Sequence, residues 1–441
     1  MKKERISRKM GVRVLTGVMA AVLLTACGNP MERQDNEERE ERESRASSVD
    51  IMEELEEDST MDMETMNASM MNFSFELLKS SMEETGEYDN VLVSPVSVAY
   101  ALNMTAIGAE GDTYDQIAEI LCAGASKSDL IAYVDETMEH LQKSDALSIA
   151  NAVWANETIL ERDNLELNPD FKEILDDAFD AKTEMLPFDD DAVDEINEWV
   201  NDNTDEMIPS IIRQLDEDAI LVLVNAMAFD SNWETPYEEY QVDEEGEFTN
   251  ARGEMEEAKM LMGEEFAYLE NDTAIGFLKY YEDDQFAFMA ILPNDEDISL
   301  QEFLENFDGE DYMEFYESRS GEEVKTLLPA FTFDYDIELT DVLKEMGMED
   351  AFDADAADFS GMFVELTEDV WIDQVIHKTH VELDENGTRA AAATAVIMNE
   401  TCAMPEEQPK RVILDRPFVF AIVDTETGLP VFLGGVNSVE E

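Results

Sequence analysis

One stretch near the C-terminus restricts the fold of this chain more than any other: Glu385-Asn386-Gly387-Thr388-Arg389-Ala390-Ala391-Ala392-Ala393-Thr394-Ala395. A turn signal leads into a run of small, uncharged side chains with one basic residue near its start. A strand-like run, Val375 to Leu383, precedes it. A second apolar strand, Pro417 to Val423, follows a proline-containing polar stretch. Such a segment can lie outside as a loop. It can also enter a sheet as a strand, because small side chains fit between packed neighbours.

The chain of 441 residues has the length of about three average domains, or of one large domain with extensions. Its net charge of −79, from 107 acidic and 28 basic residues, repels nucleic acid phosphates and anionic lipid headgroups and attracts cationic proteins. With 44% hydrophobic and 9% aromatic residues it can bury a sizeable core. Three cysteines, Cys27, Cys122 and Cys402, make neither a disulfide framework nor a CxxC redox or metal spacing. Stability has to come from packing.

The N-terminus has the form of a targeting segment. Lys2, Lys3, Arg5, Arg8, Lys9 and Arg13 precede a short apolar run, Val14 to Leu24, which falls short of the roughly 20 residues that span a bilayer. Leu24-Thr25-Ala26-Cys27 resembles a bacterial lipoprotein box. Residues 1–26 are therefore expected to be a signal peptide, with Cys27 lipidated and the protein held extracellularly at the cell surface. Residues 28–66 contain fifteen acidic and four basic residues and no aromatic, and are expected to form an acidic tether from Cys27 onward.

From residue 67 to the end the pattern is continuous. Met71, Phe75, Leu78 and Met82 have helical spacing over 67–82. Asn90 to Val93 reads as a short strand, and Ser94-Pro95 as a helix start, with a serine cap and proline in the first turn. Strands are expected at 147–155, 219–229, 286–292, 327–333, 370–376, 417–423 and 430–436, and helices at 193–212 and at 337–346, the latter capped by Gly347. Helices dominate early and strands late, which makes the class α+β with large sheets.

Signatures of enzymes are absent: there is no GxSxG, HExxH, GxxxxGK[ST] or GxGxxG. His377 and His380, three apart on a strand, face opposite sides and cannot share a metal.

Five separated motifs, in order and spacing, resemble the serpin family over residues 67–441. They are Asn90-Val91-Leu92-Val93-Ser94-Pro95-Val96-Ser97-Val98-Ala99; Asn225-Ala226-Met227-Ala228-Phe229 with Trp233; His377-Lys378 followed by Glu385-Asn386-Gly387-Thr388; Asp415-Arg416-Pro417-Phe418-Val419-Phe420; and Phe432-Leu433-Gly434-Gly435-Val436-Asn437. The resemblance implies three β-sheets, about nine helices and an exposed reactive loop near the C-terminus. It implies a monomeric protease inhibitor with no cofactor, not an enzyme. A non-inhibitory serpin-fold surface binding protein is the alternative.

Inhibition of that kind begins when a serine or cysteine protease attacks the loop and forms an acyl-enzyme. The freed arm of the loop then inserts into the main sheet and drags the protease with it, which pulls the protease's catalytic groups from productive geometry. If Thr388 faces inward in the inserted strand, so do Ala390, Ala392, Thr394, Val396 and Met398, while Arg389, Ala391, Ala393, Ala395 and Ile397 face out. No proline interrupts Gly387 to Met404, and Gly387 is expected to allow the bend from which insertion starts. The hinge thus comprises Glu385, Gly387, Thr388, Ala390 to Ala393 and Thr394; Asn386 and Arg389 depart from the family's usual residues.

Counting from the hinge glycine places the reactive bond between Thr401 and Cys402, with Glu400 as the one-residue alternative. No basic residue lies between Arg389 and Lys410, which disfavours a trypsin-like target. Thr401 points to a small specificity pocket, as in elastase- or subtilisin-like enzymes. The resemblance also assigns Trp233 to the place where the hinge first inserts, and Ser94, Ser97, Asn225 and His377 to a hydrogen-bonded cluster beneath the sheet.

Overall fold

The computed structural model describes residues 59–204, 206–215, 219–366, 370–372, 375–388 and 409–440. Ten α-helices occur among them: α1 (Met63–Thr85), α2 (Pro95–Gly108), α3 (Gly111–Cys122), α4 (Lys127–Leu141), α5 (Glu157–Asp163), α6 (Pro169–Phe179), α7 (Asp190–Asn203), α8 (Leu300–Leu304), α9 (Gly309–Glu317) and α10 (Thr340–Glu345). The strands in chain order are β1 (Val91–Val93), β2 (Leu147–Asn156), β3 (Ala181–Leu186), β4 (Leu221–Phe229), β5 (Ser231–Asn232), β6 (Val242–Thr249), β7 (Met255–Glu265), β8 (Tyr268–Glu270) and β9 (Ala274–Tyr280). They continue with β10 (Phe286–Pro293), β11 (Val324–Pro329), β12 (Phe331–Glu338), β13 (Ile376–Leu383), β14 (Gly387–Thr388), β15 (Lys410–Ile413), β16 (Phe418–Asp424) and β17 (Pro430–Val436).

Local chemistry sets the helix ends. Asp62 caps α1 by accepting from the Thr65 N–H at 2.8 Å, and α1 stops at Gly86, whose φ of +118° suits glycine. Ser94 caps α2 with Pro95 in the first turn, as the sequence predicts. Ser126 and Asp129 form a reciprocal capping box on α4.

The strands form four hydrogen-bonded groups: β1-β17-β16-β10-β9-β8, β15-β11-β7-β6, β12-β13-β14-β5 and β3-β2-β4. The last two are halves of one layer, because β4 runs on into β5 with only Asp230 between them. Counted so, there are three sheets. The main one is split: no ladder joins β4 to β13 among the described residues, and the halves are tied at the top by β14. The buried six-stranded sheet, with every residue of β10, β16 and β17 in the interior, packs behind the layer.

Several element bounds differ from the sequence reading, each for a local reason. The helix expected over 193–212 ends at Asn203, because the Asn197 side chain captures the N–H groups of Ile211 and Ile212 at 2.8 and 3.0 Å and turns the chain back. The strand expected from Val370 begins only at Ile376. Ile372 N–H bonds to Ala351 O, and Val375 exchanges bonds with Thr340 Oγ1 and Leu339, so neither joins a ladder. Ile337 and Glu338 are not helical; they pair with His377 and Ile376, and α10 starts at Thr340. The single strand expected over 327–333 is two strands in different sheets, broken at Ala330, whose N–H reaches Lys259 O at 2.8 Å. α1 starts four residues before the periodic pattern.

Candidate functional site: the slot in the main sheet

Two short stretches of chain close the top of the split. Gly387 pairs with Asn232, and Thr388 with Ser231 on one side and Leu383 on the other, antiparallel to both. These two rungs are the start of a strand lying between β4-β5 and β13. Thr388 does face inward. It is buried, and its hydroxyl lies 2.6 Å from the Tyr281 hydroxyl. Burial pushes the Tyr281 phenol well up, so it stays protonated and can donate.

Gly387 is needed here for a reason other than the one expected. Its φ is not in the left-handed region, so the turn does not require glycine's flexibility. A Cβ at this position would instead lie 2.2 Å from Ser231 O and 2.7 Å from Asn232 Cα, both backbone atoms. Only glycine permits this approach of the two chains. The bend itself is made by Asp384, whose Oδ1 accepts from the Asn386 and Gly387 N–H groups at 2.7 and 3.2 Å.

Trp233 stands at this junction. Its N–H donates to Asn386 O at 2.8 Å and its indole Nε1–H to Asp384 O at 3.0 Å. The ring is buried and stacks on Tyr281 with centroids 4.6 Å apart. Lys279 Nζ lies 5.4 Å from the centre of the ring and makes a buried ion pair with Glu265 at 2.9 Å. Glu385 is fixed twice: its carbonyl accepts from Tyr237 N–H at 2.8 Å, and its carboxylate pairs with Lys259. Partial burial pushes the Glu385 carboxyl up, but the hydrogen bond from Lys259, a bond from its own backbone N–H and the Lys259 charge together outweigh it, and the net shift is downward. Lys259 on β7, Lys279 on β9 and Tyr281 just past β9 lie far from the hinge in sequence, and no pattern in the chain marked them.

Lower down, the four expected side chains meet. Ser94 N–H donates to His377 Nε2 at 3.0 Å, and Ser94 Oγ–H to Val431 O at 2.8 Å. Ser97 Oγ–H donates to Asn225 Oδ1. Asn225 Nδ2 in turn donates to Asn151 Oδ1 on β2, and Asn151 Nδ2 to Phe179 O at 2.7 Å. Asn151 extends the cluster beyond the sequence reading. Burial lowers the His377 pKa to about 4, in keeping with a neutral ring that accepts from Ser94. His380, on the opposite face, is exposed and bonds Asp334 at 2.8 Å.

Between these clusters and the α7–β4 connection lies a cavity of about 530 Å³, lined by Ser97, Ala101, Leu221, Asn225, Val375 and His377 among others. The halves of the sheet are therefore held apart above α2, with room between them. Ala390, Ala391, Ala392, Ala393, Thr394, Glu400, Thr401, Cys402 and Cys27 lie outside the described residues. Among the described residues no group of acidic, histidine and cysteine side chains could hold a metal, and no helix is long and apolar enough to cross a membrane.

The main sheet is thus split and closed at its top by the two rungs of β14. Residues 68–439 fit the model of the serpins, serine protease inhibitors. The chain is a serpin. It is 32% identical over 368 residues to an uncharacterized serpin-like protein of Thermococcus kodakarensis, covering 82% of this chain and 83% of that one. It is 30% identical to the leukocyte elastase inhibitor of Xenopus tropicalis, over 85% of this chain and all of the relative. The crystal structure of the thermophilic serpin tengpin in its native state superposes with a TM-score of 0.77 at 36% identity, covering 86% of this chain and 95% of that one. Serpins are typically non-catalytic protease inhibitors, and the α+β fold is the one the resemblance implies.

Proposed function

We propose that this serpin is a suicide-substrate inhibitor of secreted, elastase- or subtilisin-like serine proteases. The observation that carries this is the register at the top of the slot. Continuing the pairs Thr388↔Ser231 and Thr388↔Leu383 down an inserted strand sets Ala390 between Phe229 and Val381, and Ala392 between Met227 and Thr379. Thr394 then falls between Asn225 and His377, inside the hydrogen-bonded cluster. From Ala390 to Met398 the inward positions receive small or apolar side chains, Arg389 takes the outer face, and the next charge, Glu400, comes only at the far end of the arm. An inserted arm of about 14 residues would move an attached protease by roughly 46 Å.

In this reading Trp233 and Glu385 hold the hinge ready, while Ser94, Ser97, Asn225 and His377 gate the parting of the sheet. Cutting falls at Thr401–Cys402, or one residue away at Glu400. Cys27 carries a lipid that holds the monomeric protein outside the cell, and the acidic domain meets cationic secreted proteases. The similarity to an elastase inhibitor supports the class of target. The test is to mix the protein with elastase-, subtilisin-, chymotrypsin- and trypsin-type proteases and run denaturing gels. A band at the summed mass, with the released C-terminal peptide sequenced, is expected from the first two. Cleavage without an adduct from any of them would overturn inhibition in favour of a binding or substrate role.

A further inference from the structure

Asn386-Gly387 is the one Asn-Gly pair in the chain, and the structure sets it in the hinge. Asparagine is thermolabile, most of all before glycine, whose unhindered nitrogen can reach the asparagine side chain. In that reaction the glycine nitrogen attacks the side-chain Cγ. The N–Cγ bond forms, the Cγ–Nδ2 bond breaks, and ammonia leaves with the proton of the glycine N–H. Water then opens the cyclic imide at one carbonyl or the other, giving aspartate or isoaspartate with no oxidant or reductant. Glycine cannot be avoided at 387, since a Cβ there would lie 2.2 Å from Ser231 O. The close approach that forms β14 therefore brings a chemical liability with it.

The folded hinge holds both reacting groups in place. Gly387 N–H donates to Asp384 Oδ1 at 3.2 Å, so the attacking nitrogen is tied through its own proton. Asn386 Nδ2 donates to Asp384 Oδ2 at 3.1 Å, and Asn386 N–H to Oδ1 at 2.7 Å, which fixes the side chain under attack. Ring closure needs a rotation about the Cα–C bond of Asn386, and that rotation also turns its carbonyl. The carbonyl is pinned by the Trp233 N–H at 2.8 Å, while Gly387 O accepts from Asp384 N–H at 3.0 Å. One carboxylate, Asp384, thus binds both nitrogens that the reaction involves.

We propose that Asn386 is a deamidation site gated by the hinge, with the Asp384 carboxylate as its guard. The pair is stable while β14 is seated on β5 and reacts when β14 lifts. Either product bars the hinge from seating again. Aspartate replaces the Nδ2–H donor by a second carboxylate facing Asp384. Isoaspartate routes the main chain through Cβ and Cγ and lengthens it by about 1.5 Å, at a point where Gly387 has no room to shift. The reaction is irreversible, so it counts the time each molecule spends with its hinge open. Its consequence for trapping rests on the inhibitory reading above: molecules whose hinge has come loose are retired as inhibitors.

The test stores the full chain at neutral pH, folded and in denaturant, and follows Asn386 by peptide mass and isoaspartate detection. The folded parent should react about tenfold more slowly than the denatured chain, or slower still, tenfold being the factor that one charge-assisted hydrogen bond contributes. Asp384→Ser should remove most of that protection. Equal rates for folded and denatured parent, or an Asp384→Ser chain that melts as the parent does and reacts no faster, would overturn the gate. Aged parent, separated by the negative charge it has gained, should give more cleaved chain and less covalent adduct with elastase- and subtilisin-type proteases than fresh parent. Asn386→Gln, which closes no such ring readily, should keep its adduct yield over the same storage. Equal adduct from aged and fresh parent overturns the retirement of aged molecules. No adduct from fresh parent overturns the inhibitory reading instead, and the mass measurements still decide the gate.

Discussion

Gly387→Ala should unseat the hinge while leaving the rest of the domain intact. The added Cβ meets Ser231 O at 2.2 Å and Asn232 Cα at 2.7 Å, and neither backbone atom can turn aside as a side chain could. Overpacking of this kind costs roughly 1–3 kcal/mol. The structure can escape the clash by lifting β14, which loses the two rungs to β5 and the Thr388–Tyr281 bond. The Trp233 amide hydrogen, donated to Asn386 O at 2.8 Å, and the Tyr237 amide hydrogen, donated to Glu385 O at 2.8 Å, report that lifting directly. Their exchange with solvent should quicken by about 5- to 150-fold, the factor equivalent to 1–3 kcal/mol. If the same cost falls on the first step of insertion, hydrolysis gains on trapping by a similar factor. More cleaved inhibitor and less adduct would then appear on a gel. Unchanged exchange at both amides together with unchanged stoichiometry would refute the close-approach account of this glycine.

Other positions give independent readings. His377 is neutral in the fold with a pKa near 4 against an ordinary value near 6.5. The unfolded chain binds the extra proton first, so His377 should cost stability as pH falls from about 6.5 to about 4, by up to about 3 kcal/mol. Denaturant titrations of the parent and His377→Gln should diverge in that window; parallel curves would contradict it. His377→Ala, which strips the acceptor from Ser94 N–H, should promote spontaneous loop insertion or polymerisation, visible as a changed melting profile and as ladders on native gels. Lys259→Ala leaves Glu385 half-buried without its partner, and should raise the pKa of that carboxyl and accelerate exchange at Tyr237 N–H. Because the pair is partly exposed, 1 M salt should reproduce part of the effect in the parent. Asn151→Leu removes the acceptor of Asn225 Nδ2 and buries a bulkier side chain, so it should lower Tm by several degrees.

The caps and the buried strands were legible in the sequence because each depends on near neighbours. Ser94-Pro95 starts α2 through local backbone geometry, and the apolar runs at 286–292, 417–423 and 430–436 needed only burial on both faces. Errors gathered where a distant group took over a backbone donor. Asn197 ended α7 early, Ala351 and Thr340 kept Ile372 and Val375 out of the ladder, and Lys259 O broke the run at Ala330. The four residues assigned beneath the sheet do meet, but Asn151 escaped notice. An asparagine in the middle of an apolar strand is a visible oddity, yet its partners Asn225 and Phe179 lie 74 and 28 residues away.

The proposed mechanism requires one chain to hold two states, and the same contrast bears on how it would do so. The inner strands β17, β16, β10 and β9 of the buried six-stranded sheet are paired on both sides and almost wholly apolar, so that layer has nowhere to go. The main sheet is different. Below β14 no ladder joins its two halves among the described residues, and over α2 they are held by polar contacts, Ser97 to Asn225 and Ser94 to His377. Polar contacts can be exchanged for others of the same kind with little net cost, provided none is left buried and unmet. An arriving strand offers that exchange, since its N–H and C=O groups fill both open edges and Thr394 brings a hydroxyl to the level of Asn225 and His377. Insertion thus gains a full set of ladder bonds and buries a run of alanines, while the cluster loses no partner it cannot replace. A hydrophobic seam in place of the cluster would have to be torn open before any new bond formed, and the cost of that first step would favour hydrolysis over trapping. Polar residues at the parting line are therefore what a sheet needs if it is to open faster than an acyl-enzyme can be hydrolysed.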